Sequence, residues 1–157
     1  MTRHEPVAAE TVPESQPKTH YPSPFAACVA GRIKRKLGEV FGLTNFGVNL
    51  TQLAPGSMSA LYHSHARQDE FIFVLSGNPT LIWADRERVL APGDCMGFPA
   101  GTGQAHHLVN RSDEMVTYLE IGDRTAGDRV DYPHDDLAVT VGDDGRYRFS
   151  HKDGRPY

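Results

Sequence analysis

His63 and His65 stand one residue apart, Glu70 follows His65 by five positions, and the pair His106-His107 comes much later in the chain. In a β-strand, side chains at i and i+2 project from the same face. His63 and His65 are therefore expected to point together into whatever space that face encloses. A carboxylate across a turn and a third imidazole from a distant strand would complete a nitrogen/oxygen cage for one divalent cation. A lone strand histidine is usually structural or exposed, but two at this spacing, with a carboxylate and a remote His-x-x-x-Asn, reverse that expectation. Three neutral imidazoles and one carboxylate leave about two open positions on a six-coordinate ion, as a catalytic metal needs. Such a donor set suits Fe, Mn, Ni, Co or Zn. His107 has the opposite parity to His106 and is expected behind the cage or facing outward. His4, His20, His134 and His151 lie in polar or loop contexts and read as surface histidines.

The elements that must position these groups read as short strands. β-prone runs cover 47–53, 59–65, 70–75, 80–84, 88–90, 94–98, 106–110 and 116–121. Between them stand Pro55-Gly56, Gly77-Asn78-Pro79, Asp85-Arg86, Pro92-Gly93 and the stretch 99–103. Strands of this length and spacing predict an antiparallel sandwich or barrel. The stretch 37–43 is interrupted by Gly38 and Gly42 and scores poorly as a helix. Residues 137–141 and 146–149, joined through Asp144-Gly145, read as a terminal hairpin. If Glu70 faces inward, Ile72 and Val74 join it, leaving Phe71, Phe73 and Leu75 on the opposite face. That second greasy face predicts burial against another layer or subunit, and a homodimer is the economical expectation.

Length and composition set limits. The chain has 157 residues, 39% of them hydrophobic, and a net charge of -4, which fits one soluble domain with a real core. No run approaches the roughly 18–20 apolar residues of a membrane span, and the first residues lack the apolar core of a secretory signal. Cys28 and Cys95 are too few and too distant for a disulfide framework or thiolate metal site, so a reducing cytoplasm is expected. Cys95 is expected to be a buried, inert thiol. The basic run Arg32-Ile33-Lys34-Arg35-Lys36 reads as a solvated strand face rather than a nucleic-acid site. Residues 1–24 carry prolines at 6, 13, 17, 22 and 24 and are expected to form a tail or extended arm. Asp135-Asp136 and Asp143-Asp144 read as turn chemistry rather than a calcium loop.

With turns and ligand candidates in place, the chain resembles a cupin. The first motif is matched by Gly56-SMSALY-His63-Ser-His65-ARQD-Glu70-FIFVLS-Gly77, with one extra residue before His63. The second is matched by Gly93-DCMGF-Pro99-Ala-Gly101, then four residues, then His106-HLV-Asn110, two residues longer than the pattern. Asn110 lies four positions after His106, which favours His106 over His107. The six-residue step to Gly77 favours Glu70 over Asp69. Residues from about 23 to 157 are similar to a bacterial group of single-domain cupins often labelled sugar-phosphate or mannose-6-phosphate isomerase-like. Its features are seen in Asp69-Glu70-Phe71, in 103–110, in Tyr118-Leu-Glu-Ile-Gly122-Asp-Arg124, in 127–137 and in Lys152-Asp-Gly154.

That resemblance implies an all-β, double-stranded β-helix (jelly-roll) barrel over 25–157, with His63, His65, Glu70 and His106 as metal ligands. It says less about the reaction, since one barrel hosts many chemistries. One expectation is a sugar-phosphate-isomerase-like enzyme with the metal as Lewis acid. Glu70, Tyr118 and Glu120 are the candidate acid/base groups, and Arg67 and Arg124 the nominated phosphate anchors. A second is a non-haem Fe(II) dioxygenase, with Phe98, Trp83 and Tyr62 lining an apolar pocket. A third is a non-catalytic small-molecule or metal-binding module. All three take a small-molecule partner and neither nucleic acid nor membrane.

Overall fold

The computed structural model describes residues 5–142 and 146–157, and its framework is a jelly roll of twelve short strands. These are β1 (Arg32–Lys36), β2 (Phe46–Leu53), β3 (Ser64–His65), β4 (Glu70–Ser76), β5 (Thr80–Trp83) and β6 (Arg86–Val89). They continue with β7 (Cys95–Phe98), β8 (His106–Val109), β9 (Val116–Asp123), β10 (Arg129–Asp131), β11 (Ala138–Val141) and β12 (Tyr147–Ser150). A five-stranded sheet runs β1-β2-β9-β4-β7, a four-stranded sheet β12-β11-β10-β3, and a three-stranded sheet β6-β5-β8. Every pairing is antiparallel. Among the described residues, helix is confined to one turn, α1 (Leu37–Val40), and two short 3₁₀ turns. Among the described residues no helix is long and apolar enough to cross a membrane.

The period-2 reading of β4 holds. Ile72 and Val74 are buried, whereas Phe71, Phe73 and Leu75 are 36%, 36% and 43% exposed on the other face. Inside the barrel, Leu53, Ile72, Val74, Leu81, Leu108 and Val116 form part of the main apolar core. A second cluster, Leu61, Val130, Tyr132, Leu137 and Val139, packs with Tyr21, Phe25 and Phe149. Gly77 ends β4 at φ +76°, where an added Cβ would stand 2.8 Å from Met115 O and 2.9 Å from Val116 Cα. Only glycine fits so close to backbone at such a φ.

Several local expectations need correction. The run 59–65 does not form one strand: only Ser64–His65 pairs in a sheet, and His63 joins His106 through an isolated bridge. The turn expected at Asp85-Arg86 centres one residue earlier, with Ala84 and Asp85 both at positive φ, the geometry of a tight hairpin. Residues 37–40 do make a helical turn, despite Gly38. β10 was not anticipated, because three residues are too few for a periodic signal. Cys95 is exposed rather than buried, since it starts β7 on the outward side beside Phe73.

The terminal hairpin forms, with β11 and β12 in register from Ala138↔Ser150 to Val141↔Tyr147. Its Asp144-Gly145 turn and Asp143 lie outside the described residues, as does His4. The proline-rich segment packs as an arm on its own chain. Ser15 N donates to Lys34 O at 2.8 Å, Arg35 Nη1 donates to Val12 O at 2.7 Å, and Val12 is buried.

Candidate metal centre

The site begins with backbone pairing. His63 N donates to His106 O at 3.2 Å and His106 N donates to His63 O at 2.8 Å, which sets the two residues opposite each other. Glu70 opens β4 and pairs with Gly122 of β9 and Phe98 of β7, and its inward parity aims the carboxylate at the same space. Three Nε2 atoms then surround Glu70 Oε2: His106 at 2.9 Å, His63 at 3.4 Å and His65 at 3.5 Å. Ligand atoms of His63, Glu70 and His106 lie within 4.8 Å of one another, a group able to hold a metal ion. His65 reaches Glu70 but stands outside that mutual group.

The rings are held from behind. His63 Nδ1–H donates to Leu61 O at 2.8 Å, and His65 Nδ1–H donates to Asp128 Oδ2 at 2.6 Å. Asp128 is 2% exposed, and its Oδ1 accepts from Arg67 N at 2.8 Å. Protons on both Nδ1 atoms leave the Nε2 lone pairs facing inward, the tautomer a metal ligand needs. His106 is fixed differently: Phe98 stacks flat on it, with ring centroids 3.5 Å apart and planes 3° apart. Glu70 Oε2 and His106 Nδ1 are buried without a hydrogen-bond partner. An orphaned carboxylate oxygen among imidazole nitrogens is the donor chemistry that a borderline divalent cation completes, so the residues fit the group.

Electrostatics agree with an ionised carboxylate. Burial alone would raise the Glu70 pKa, but His106 and His63 beside it hold it well below the usual range. For His63, burial would push the pKa down, yet the Glu70 carboxylate outweighs it and the net shift is upward. At His106 burial prevails and the shift is downward.

The cluster opens on a cavity of about 680 Å³ between the sheets. Its floor is the inner face of the five-stranded sheet, including Tyr118 and Glu120. Lys34 Nζ lies 2.6 Å from Glu120 Oε1, and Asn49 Nδ2 donates to the same oxygen at 3.2 Å. Burial would raise the Glu120 pKa, but Lys34 outweighs it and the carboxyl stays below its ordinary value. Tyr118 is 1% exposed and its hydroxyl lacks a partner; burial holds its pKa well above the usual phenol range. Tyr21, Tyr132, Tyr147 and Phe149 form an aromatic wall.

Other expected residues fall elsewhere. Asp69 Oδ1 accepts from Ala100 N at 2.8 Å and so braces a loop. His107 Nδ1 lies 3.1 Å from Ala60 O, away from the cluster. Of the aromatics expected around a pocket, Phe98 lines the cavity, whereas Trp83 packs against the core and Tyr62 stacks on His134. Arg124 lines the cavity and Arg67 does not. The basic run is only in part a solvated face: Arg32, Lys34 and Lys36 line the cavity, with Lys36 itself exposed. Sequence reasoning missed Asp128, which lies in an irregular stretch before β10, and the aromatic wall, three of whose four rings (Tyr21, Tyr147 and Phe149) come from the arm and β12.

Fold and site together define a jelly roll with a histidine/carboxylate cluster at its centre. Residues 49–122 match the family described as "Cupin domain". A crystal structure described as a sugar phosphate isomerase of the cupin superfamily from Silicibacter pomeroyi is 36% identical, with 98% of this chain and 96% of that one covered and a TM-score of 0.88. A candidate sugar phosphate isomerase from Acidithiobacillus ferrooxidans is 33% identical over 80% of each chain, TM-score 0.71. The polyketide cyclase RemF from Streptomyces resistomycificus, 20% identical over 77% of this chain and 80% of its own, with a TM-score of 0.63, shares the fold. No curated protein matches the sequence. The chain belongs to the cupin superfamily.

Proposed function

We propose that this protein is a metal-dependent enzyme that isomerises a small polyhydroxylated carbonyl compound, with His63, His65, Glu70 and His106 holding one divalent cation (Fe, Mn, Ni, Co or Zn). The observation that carries the reading is the convergence of three imidazole Nε2 atoms on one buried carboxylate oxygen beside a sugar-sized cavity. A bound divalent cation supplies Lewis-acid polarisation of a substrate oxygen. The chain's own residues supply the rest. Glu120, kept ionised by Lys34 and aimed by Asn49, takes a proton from the hydroxyl-bearing carbon beside the carbonyl and returns it to the former carbonyl carbon. The hydroxyl proton of the first carbon passes to the former carbonyl oxygen. No oxidant or reductant is consumed. Tyr118, kept a neutral phenol by burial, offers an O–H donor to a substrate oxygen. Glu70 serves as a ligand rather than the base, because its carboxylate is already enclosed by imidazoles.

An aromatic wall facing a charged floor suits a carbohydrate, whose C–H face packs on rings while its hydroxyls bond the floor. The sugar phosphate isomerase descriptions of two similar structures point the same way. We also propose a cytoplasmic homodimer: Cys28 and Cys95 are exposed free thiols suited to a reducing compartment, and the apolar outer face of β4 suits a second copy.

Metal analysis of protein purified without added metal, followed by anaerobic assays on a panel of aldose and ketose phosphates, tests the reaction. Metal-dependent interconversion that disappears on chelation is expected. Oxygen uptake with an enol or aromatic substrate would make the protein a dioxygenase instead. A ligand-dependent rise in Tm without any turnover would make it a binding module.

A further inference from the structure

Period-2 alternation along β1 sends Arg32, Lys34 and Lys36 to the face that lines the cavity, while Arg35 turns outward to Val12 and Glu14. Register carries this row towards the metal centre. Lys36 pairs with Asn49, Asn49 with Glu120, and Glu120 with Ile72, two residues from Glu70. Three strand spacings separate β1 from β4, about 14 Å. Between them on the inner face lie Gly47 and Gly122, which line the cavity without filling it.

The charges in this row are unevenly matched. Lys34 is paired with Glu120, and Lys36 lies 3.1 Å from Glu39. Among the described residues Arg32 makes no ion pair. Its Nη atoms donate to the carbonyls of Ser59 and Lys18, and its Nε is buried with no partner. A guanidinium held in a wall by carbonyls alone keeps its full charge, and a cavity oxyanion offers it the favourable partner it lacks.

We infer that the inner face of β1, through Arg32 and Lys36, is an oxyanion subsite that holds a phosphate or carboxylate at the end of the substrate remote from the metal centre, while Lys34 stays on Glu120. The inference rests on the small-molecule reading above and adds the substrate's charge to it. It also corrects in part the view of this run as a solvent-facing strand and supplies the anchor that Arg67 does not.

Calorimetric titration of the full-length protein, as purified, with inorganic phosphate and separately with succinate tests it. Saturable binding of at least one anion is expected, weakened about tenfold or more by Arg32→Gln and by Lys36→Glu. Lys36→Glu changes a half-exposed side chain and keeps the test decisive if Arg32→Gln fails to fold. His65→Ala, which removes a proposed metal ligand, should bind the same anion within about twofold, because its cost falls on a separate contact. Preference for phosphate identifies a phosphate monoester, and preference for succinate a carboxylate. The inference is overturned if neither anion binds, or if both β1 variants bind like wild type. Binding lost in His65→Ala but kept in the β1 variants would also overturn it, by placing the anion on the metal. Absence of isomerase turnover with intact anion binding would sink the proposed reaction and leave the subsite standing.

Discussion

Nδ1 of His65 lies 2.6 Å from Oδ2 of Asp128, a contact between residues 63 positions apart in sequence. The same carboxylate accepts from Arg67 N, so one buried group fixes the His65 ring and the start of the loop that carries the chain to Glu70. Asp128→Asn keeps the shape but presents a weaker, uncharged acceptor. Metal affinity is expected to fall about 10–100-fold while the β spectrum is retained, the usual cost of losing a carboxylate behind a histidine ligand. Chelator competition measures it; unchanged affinity would mean that the His65 tautomer is set by something else.

Removing metal should destabilise the fold. A cation that binds only the native state adds about 2.7 kcal/mol at a hundredfold excess over Kd. Thermal melts before and after dialysis against chelator should therefore show a lower Tm without metal, restored by adding it back. In His65→Ala the two melts should coincide. A metal-dependent rise of wild-type size in that variant would remove His65 from the ligand set.

Glu120 links the floor to both chemistry and acid stability. Glu120→Gln should lower isomerase turnover about 10²–10⁴-fold, the range for loss of a general base, with metal content unchanged. Its folded pKa is depressed because Lys34 outweighs burial. The stabilisation is therefore present above the unfolded value of 4.5 and is lost as pH falls through the lower folded value. Denaturation midpoints of wild type and Glu120→Gln should thus converge as pH drops from 7 towards 3.5. Parallel curves across that range would deny the coupling.

Much of this was legible in the sequence, and the failures have physical causes. Glu70 could be placed with Ile72 and Val74 because strand parity fixes where such side chains point, whereas His63 and His106 were legible through the spacing of the cupin motifs. The exposed face of β4 followed from the same alternation. What escaped depended on long-range register. In Arg32–Lys36 local alternation sets Ile33 and Arg35 against three cations and points the all-charged face to water; only pairing with β2 turns Lys34 towards Glu120 instead. Asp128 has no periodic neighbours to announce it. Cys95 looked like core because it begins an apolar strand, yet β7 is a sheet edge and the thiol faces out.

Phe71 and Phe73 lie on one face of β4, and both remain more than a third exposed. If a second copy covers them, Phe73→Glu buries a charge in an apolar contact and should give a monomer by light scattering at micromolar concentration. The wild type should be a dimer under the same conditions. A wild-type monomer would dismiss the assembly without touching the metal centre, whose described residues all come from one chain.

Gly77 offers a test of the framework that is independent of function. At φ +76°, an alanine would be strained by its backbone alone, and its Cβ would press on Met115 O and Val116 Cα at under 3.0 Å. Neither contact is a flexible side-chain tip, so relief requires β4 and the start of β9 to part. Gly77→Ala should cost about 2–4 kcal/mol in denaturant unfolding, the combined scale of a disallowed φ and an overpacked contact. Because β9 carries Tyr118 and Glu120 as well as Val116, the same variant should lose turnover before it loses metal. A variant as stable as wild type would show that the turn after β4 can rearrange freely. The register that sets Glu70 opposite Gly122 would then have to be fixed elsewhere.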